Sequence, residues 1–176
     1  GRVTYSDQPS GKSQAIAIHN QPSRLLRYVR KVYDGDTIIL EDGKHIRLLG
    51  VNTPEIESRQ RAEEPGGVAA KKWLQAQLQD KKVYLEYDEV KFDKYKRQLA
   101  HVFLSNGKHL NLALLENGLG TVSIIPPNVR YSDKLTQAQQ HAEKMQLGIW
   151  AMPEYQLKPI AQIANHAKGW QRFNAT

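Results

Sequence analysis

Apolar residues recur with two different periods along the chain, and the switches between them mark out its elements. Residues 24–33 place Leu26, Tyr28, Val29 and Val32 among basic residues in a β-like pattern, and residues 37–40 are a β-branched run. Glu41-Asp42-Gly43-Lys44 carries the Asp-Gly signal of a hairpin turn, and residues 45–49 form the return strand, so the pattern predicts a three-stranded meander. Gly50 and Pro54 then break it. Ala70, Leu74 and Leu78 at i, i+4 and i+8, with Trp73 alongside, predict a helix over residues 68–78. Val83, Leu85 and Tyr87 alternate and predict a fourth strand; residues 98–104 predict a fifth, followed by a Ser105-Asn106-Gly107-Lys108 turn. Residues 111–117 read as a short helix closed by Gly118. Residues 132–146 read as a last helix, with Leu135, Ala138, Ala142 and Met145 in 3-4-3 spacing and Gly148 ending it. The pattern therefore predicts a small β-barrel with one inserted helix and helices at its end.

The flanks differ in character. Residues 1–22 are rich in Ser, Gln, Gly and Pro around one apolar patch and read as a linker or the remnant of a preceding module; residues 23–150 form the domain, and residues 151–176 a C-terminal extension. Ile160, Ile163, Ala164 and Ala167 in that extension fit a short amphipathic helix or a frayed tail. The first nine residues resemble the end of a β-rich module that precedes domains of exported bacterial proteins. This gives the expectation of a secreted or periplasmic protein with a processed N-terminus, although the cut of the chain alone accounts for it equally. Residues 56–64 are charged and irregular, a surface loop or a mobile rim over a site.

At 176 residues and 20.0 kDa the chain suits one domain, expected to be monomeric. No apolar run approaches the roughly 18 residues of a membrane span. Lys and Arg number 25 against 18 acids, a net charge of +7, which favours polyanionic partners, nucleic acid first and an acidic membrane surface second. Cysteine is absent, which excludes disulfides and thiolate metal sites.

The chemistry concentrates in residues 34–55, DGDTIILEDGKHIRLLGVNTPE. Asp36, Asn52, Thr53 and Glu55 bring hard oxygen donors close to Arg47 around one hairpin. Oxygen donors suit Ca²⁺ or Mg²⁺ rather than zinc, and a guanidinium beside such a cation suits a phosphate group. On spacing alone, Asp-Gly-Asp-Thr is equally a surface turn and Thr-Pro-Glu a loop start. The histidines, His45, His101 and His109 among them, show no ligand spacing and read as strand and surface residues.

Three ordered strings, DGDT, RLLGVNTPE and DKYKRQLAHVF, resemble the signatures of the staphylococcal nuclease (thermonuclease) family over about residues 27–150. The resemblance implies a five-stranded OB-fold barrel and a Ca²⁺-dependent nuclease. Such an enzyme would cleave DNA and RNA, single-stranded or locally open, to 3′-phosphorylated products. It implies Asp36, Asn52 and the Thr53 carbonyl as Ca²⁺ ligands, Glu55 as the group that orients or deprotonates the attacking water, and Arg47 and Arg97 as phosphate-gripping residues. Lys94 and Tyr95 are further candidates, a cation and an aromatic able to meet a terminal phosphate and stack on a base. Two departures stand out. Asn52 replaces an expected aspartate, and residues 122–128, Val-Ser-Ile-Ile-Pro-Pro-Asn, stand where the family has tyrosines near the base and one more residue. The competing reading is an OB module that binds single-stranded nucleic acid without catalysis.

Overall fold

The computed structural model describes residues 22–56 and 62–156; the readings for residues 1–21, 57–61 and 157–176 lie outside the described residues. Strands β1 (Leu25–Asp34), β2 (Thr37–Leu40) and β3 (His45–Leu48) form the meander, and β4 (Gly50–Asn52) follows at once. Helix α1 (Gly67–Gln77) leads to β5 (Lys82–Glu86) and β6 (Gln98–Phe103). Helix α2 (Leu110–Glu116), β7 (Thr121–Ser123) and helix α3 (Ser132–Met145) complete the set, with short 3-10 turns at Gly148–Ala151 and Pro153–Tyr155.

Five strands close a barrel in the order β1-β2-β3-β6-β5, antiparallel throughout except where β3 meets β6 in parallel. This is the OB-fold barrel with its inserted helix. Ile38, Leu40, Ile46, Leu48, Val83, Leu85, Ala100 and Val102 fill the interior, and Leu74 and Leu78 of α1, Leu114 of α2 and Leu135 of α3 extend the same core. Alternate positions point inward because successive strand side chains leave opposite faces. Arg47, between Ile46 and Leu48, therefore leaves the core face.

The pairing of β4 with β7 was not predicted: Gly50, Val51 and Asn52 lie opposite Ser123, Val122 and Thr121. Three-residue strands carry too few residues to show a period. Gly50 at φ 78° permits the turn from β3 into β4, and a Cβ there would meet the Leu135 side chain. Asn111, fully buried on α2, fixes the same turn, donating from Nδ2 to Leu49 O at 2.8 Å and Ala100 O at 3.2 Å while Oδ1 accepts from Val102 N at 2.8 Å. All its contacts are made by a residue 11 or fewer positions from one partner and 62 from another.

Two expectations about the last helix need correcting. Gln146, at φ 53°, closes α3 rather than Gly148, and Met145 is exposed. The chain reverses there, Leu147 N–H bonding back to Ala142 O at 2.9 Å, so Ile149 and Trp150 cover Ala142 and leave Met145 outside. His101 and His109 are also misplaced as surface residues. His101 is 1% exposed, its Nδ1 lies 3.0 Å from His109 Nε2, and both rings pack on Tyr131. Glu86, wholly buried nearby, accepts from Tyr131 Oη at 2.6 Å and pairs with Arg24 and Arg130.

Candidate active site

The β1–β2 turn is built around close approach. A Cβ on Gly35 would lie 2.6 Å from both Ala70 Cβ and Thr53 Oγ1, so only glycine lets α1 and the residue 53 loop close over Asp34 and Asp36. Asp34 Oδ1 accepts from Asp36 N–H at 3.1 Å. Asp36 Oδ1 accepts from Thr37 Oγ1 at 3.1 Å and its Oδ2 from Thr53 N–H at 2.9 Å, which joins the two ends of the predicted motif. Asp36 is 6% exposed and Thr53 also 6%.

Arg47 completes this cluster. Its Nη1 donates to Leu48 O at 2.6 Å and Val51 O at 2.8 Å, while Nη2 donates to Asn52 Oδ1 at 2.7 Å and lies 3.4 Å from Asp36 Oδ2. It is thus largely enclosed rather than solvated, fastened to the β3–β4 turn. The structure links Thr53, Asp36, Arg47 and Asn52 in one chain of contacts, Thr53 to Asp36, Asp36 to Arg47 and Arg47 to Asn52, as the hairpin reading requires.

Glu55 and Arg97 stand on two hollows, one lined by Asn52 and the other by Arg47, the two side chains that a 2.7 Å hydrogen bond joins. The first, about 230 Å³, is lined by Asn52, Thr53, Glu55, Glu64 and Thr121 among others. Glu64 Oε1 accepts from Glu55 N–H at 2.7 Å and Glu64 N–H donates to Glu55 O at 2.8 Å, so two bonds pin the backbone that carries Glu55. The second, about 420 Å³, includes Arg47, Asp93, Lys94, Tyr95 and Arg97. Arg97 donates from Nε to Asp93 Oδ2 at 2.8 Å, and Tyr95 lies alongside, 5.4 Å from ring centroid to guanidinium. Burial alone would raise the Asp93 carboxyl, but the N–H and guanidinium of Arg97 and the N–H of Tyr95 outweigh it and hold the group below its usual range.

Three acids escaped the sequence reading. Asp34 lay within DGDT with no role; Asp93 began DKYKRQLAHVF with no role; Glu64 sat in the charged loop. A carboxylate that precedes its partner by two or four residues in a turn-rich motif is the signal that marked the first two. Asp34 is pushed up to about 7, by burial first and then by the charge of Asp36, with Arg47 pulling the other way.

The cluster fits a hard cation. Asn52 Oδ1 and Asp36 Oδ2 both lie on Arg47 Nη2, so they are at most about 6.1 Å apart, the 2.7 and 3.4 Å legs laid end to end. Two oxygens that share one Ca²⁺ at about 2.3–2.6 Å span at most about 5 Å, which that bound accommodates. Thr53 Oγ1 is buried without a hydrogen-bond partner. Among the described residues no three His, Cys, Asp or Glu side chains converge. The donor set, Asp36 with the Asn52 amide oxygen and the Thr53 carbonyl, therefore carries a single carboxylate, which points to weak rather than tight binding.

Residues 45–152 match the family model described as staphylococcal nuclease homologue. The thermonuclease of Staphylococcus intermedius is 42% identical over 125 residues, which cover 69% of this chain and 74% of that protein. The thermonuclease of Staphylococcus hyicus is 36% identical over 146 residues, 81% of this chain and 85% of its own. Endonuclease YncB of Bacillus subtilis is 35% identical over 141 residues, 77% and 66% of the two chains.

Proposed function

The chain belongs to the staphylococcal nuclease family and is a nuclease, and from that premise we propose that it hydrolyses DNA and RNA with Ca²⁺, preferring unpaired strands and leaving 3′-phosphorylated ends. The observation that carries this reading is the chain of contacts through Thr53, Asp36, Arg47 and Asn52, with Asn52 on the hollow that bears Glu55 and Arg47 on the one that bears Arg97. A phosphodiester spanning the Arg47–Asn52 bond meets a carboxylate on one side and guanidinium groups on the other.

Asp36, Asn52 and the Thr53 carbonyl are the residues to hold the cation, which when bound would offset charge building on the phosphoryl oxygens. Arg97 keeps its Nε–H on Asp93, leaving the Nη donors for a phosphate oxygen. Arg47 exchanges its bonds to Asn52 and Asp36 for the phosphate. Glu55 accepts a proton from the attacking water, the bond from phosphorus to the 5′ oxygen breaks, and that oxygen leaves with a proton from solvent. Lys94 and Tyr95, at the rim, meet the flanking phosphate and base. The +7 charge draws the polyanion in.

A secreted or periplasmic location, on the character of the first nine residues, and a monomeric state complete the proposal; fractionation of cells that make the full-length protein tests the location. The activity is tested by incubating the purified chain with single-stranded DNA and RNA, with Ca²⁺ or excess chelator, and mapping the ends. Ca²⁺-dependent cleavage with 3′-phosphates supports the reading. Binding without cleavage in every lane would give the site to the single-strand-binding alternative.

A further inference from the structure

Four exposed large apolar side chains, Val90, Phe92, Tyr95 and Ile125, converge on one place, the 420 Å³ hollow that Arg47 and Arg97 also line. Phe92 is 51% exposed and Ile125 70%. Solvent exposure of such groups costs free energy, so their gathering beside two arginines asks for an occupant. We propose that Phe92 is the stacking platform for an unpaired nucleobase next to the reacting phosphate, with Val90 beside it and Ile125 and Pro126 as the opposite wall; this rests on the nuclease reading and names how that site selects its substrate.

The backbone presents Phe92 rigidly. Asp93 N–H bonds to Arg97 O at 3.0 Å and Leu99 N–H to Lys91 O at 2.7 Å, so residues 91–99 form a hairpin that continues into β6, with Phe92 opposite Gln98. Lys91 Nζ lies between two rings, 4.5 Å from the Tyr87 centroid and 5.8 Å from that of Phe92, and does not itself line the hollow, where Val90 and Phe92 do. The width is set as well. Asn128 Oδ1 accepts from Val90 N at 2.8 Å and Asn128 Nδ2 donates to Val90 O at 2.9 Å, tying the two lips together. A preformed slot with an aromatic face spares the base an ordering cost on binding.

Two of the polar side chains lining the slot are already engaged. Both Asn128 amide groups are spent on Val90, and Asp93 is spent on Arg97 and the N–H of Tyr95. Ser123 is the remaining polar side chain on that wall, and a hydroxyl donates and accepts alike. What the slot offers every base alike is the Phe92 face, so selection falls first on the presence of an unpaired aromatic base. Residues 122–128 carry no aromatic side chain, and Phe92, on the other lip, supplies the stacking face.

The test is a cycle of protein and substrate changes. Single-stranded oligonucleotides, intact or with one abasic residue beside a mapped cleavage position, are cut by the parent, Phe92→Ala and Phe92→Trp, and their affinities are measured in parallel by fluorescence anisotropy in chelator. The parent should favour the base-bearing over the abasic site by roughly 10-fold, the scale of one base–aromatic stack. Phe92→Ala should bring that ratio close to one, at unchanged Tm given the exposure of the ring, and Phe92→Trp should keep it. An undiminished ratio in Phe92→Ala overturns the platform. If the parent cleaves nothing, the nuclease reading fails by itself and the affinity ratio alone decides whether Phe92 stacks.

Discussion

Asn52→Asp is the sharpest probe of the cation site, because it changes one atom type at a known place. Asn52 Oδ1 lies 2.7 Å from Arg47 Nη2, and Asp36 Oδ2 lies 3.4 Å from the same nitrogen. The new carboxylate acts in two directions. With a cation bound, a full charge replaces a dipole at coordination distance, a gain of about 2–3 kcal/mol once solvent attenuates it. Without one, the carboxylate pairs with Arg47, and breaking that pair costs about 1 kcal/mol at a site only partly enclosed. The net expectation is about 1–2 kcal/mol, or roughly 5- to 30-fold tighter Ca²⁺. Tighter binding to the native state adds the same free energy to stability at saturating Ca²⁺, and for a domain of this size 1 kcal/mol moves Tm by about 2–4 °C. Calorimetric Ca²⁺ titration without substrate, and thermal unfolding of both proteins with and without Ca²⁺ at matched ionic strength, measure the two quantities. Equal affinities and an equal Ca²⁺-induced rise in Tm would refute the reasoning and remove Asn52 from the cation site.

Three other outcomes follow from the same geometry. Glu55→Gln keeps size and hydrogen bonding but cannot take a proton, so the cleavage rate should fall by about 100-fold or more while oligonucleotide affinity in chelator is unchanged; a matching loss of affinity would make Glu55 structural. Arg97→Ala should slow cleavage by at least about 100-fold, and Asp93→Asn, which loosens Arg97 without removing it, by less; equal losses would mean that Asp93 does more than orient the guanidinium. Because burial holds His101 and His109 down at about 4 and about 3 against 6.5 when unfolded, their contribution to stability is complete above pH 6.5 and declines as pH falls, by about 2 kcal/mol per ring at pH 5. Asp34, held up at about 7, acts in the opposite sense over the same range, so the quantity to follow is the difference: the stability gap between parent and His109→Gln, from urea unfolding, should narrow by about 2 kcal/mol from pH 7 to pH 5, and a constant gap would refute it.

What the chain disclosed in advance follows from range. The barrel strands, α1 and the Gly43 and Gly107 turns were legible because their signals, alternation, 3.6-residue spacing and a positive-φ glycine, lie within a few residues of one another. The β4–β7 pair was not, since Asn52 and Thr121 are joined only by tertiary structure and neither strand is long enough to alternate. The same holds for His101 and His109. Eight residues apart on a strand and beyond a turn, they show no metal-ligand spacing, and their contact exists only because Phe103, Tyr131 and Glu86 close around them. Arg47 was placed correctly on its strand, but its burial was invisible: the carbonyls of Leu48 and Val51 that hold it belong to a turn whose shape Asn111, 62 residues from Leu49, decides.

Arg97 and Glu55 are each held by a neighbour that has no contact role of its own in the reaction, and the kind of neighbour matches the job. Asp93 receives both the N–H and the guanidinium of Arg97 and so fixes a side chain whose direction must not drift, while the Asp36 carboxylate is fixed by Thr37 Oγ1 and the Thr53 N–H and its backbone by Asp34. Glu64, like Asp34, bonds to backbone, which fixes where Glu55 starts and leaves its carboxylate to be directed by other contacts. A phosphate-binding arginine profits from a preset direction, because reorganisation at the moment of charge development would forfeit the gain. A base that takes a proton from one molecule and releases it to solvent must do the opposite. Arg47 combines the two demands, anchored through Nη1 on two carbonyls that the reaction does not disturb and joined through Nη2 to Asn52 and Asp36, the contacts it gives up. The neutral amide at position 52 makes that release cheaper than a carboxylate would, which offsets in phosphate binding part of what it forgoes in cation affinity.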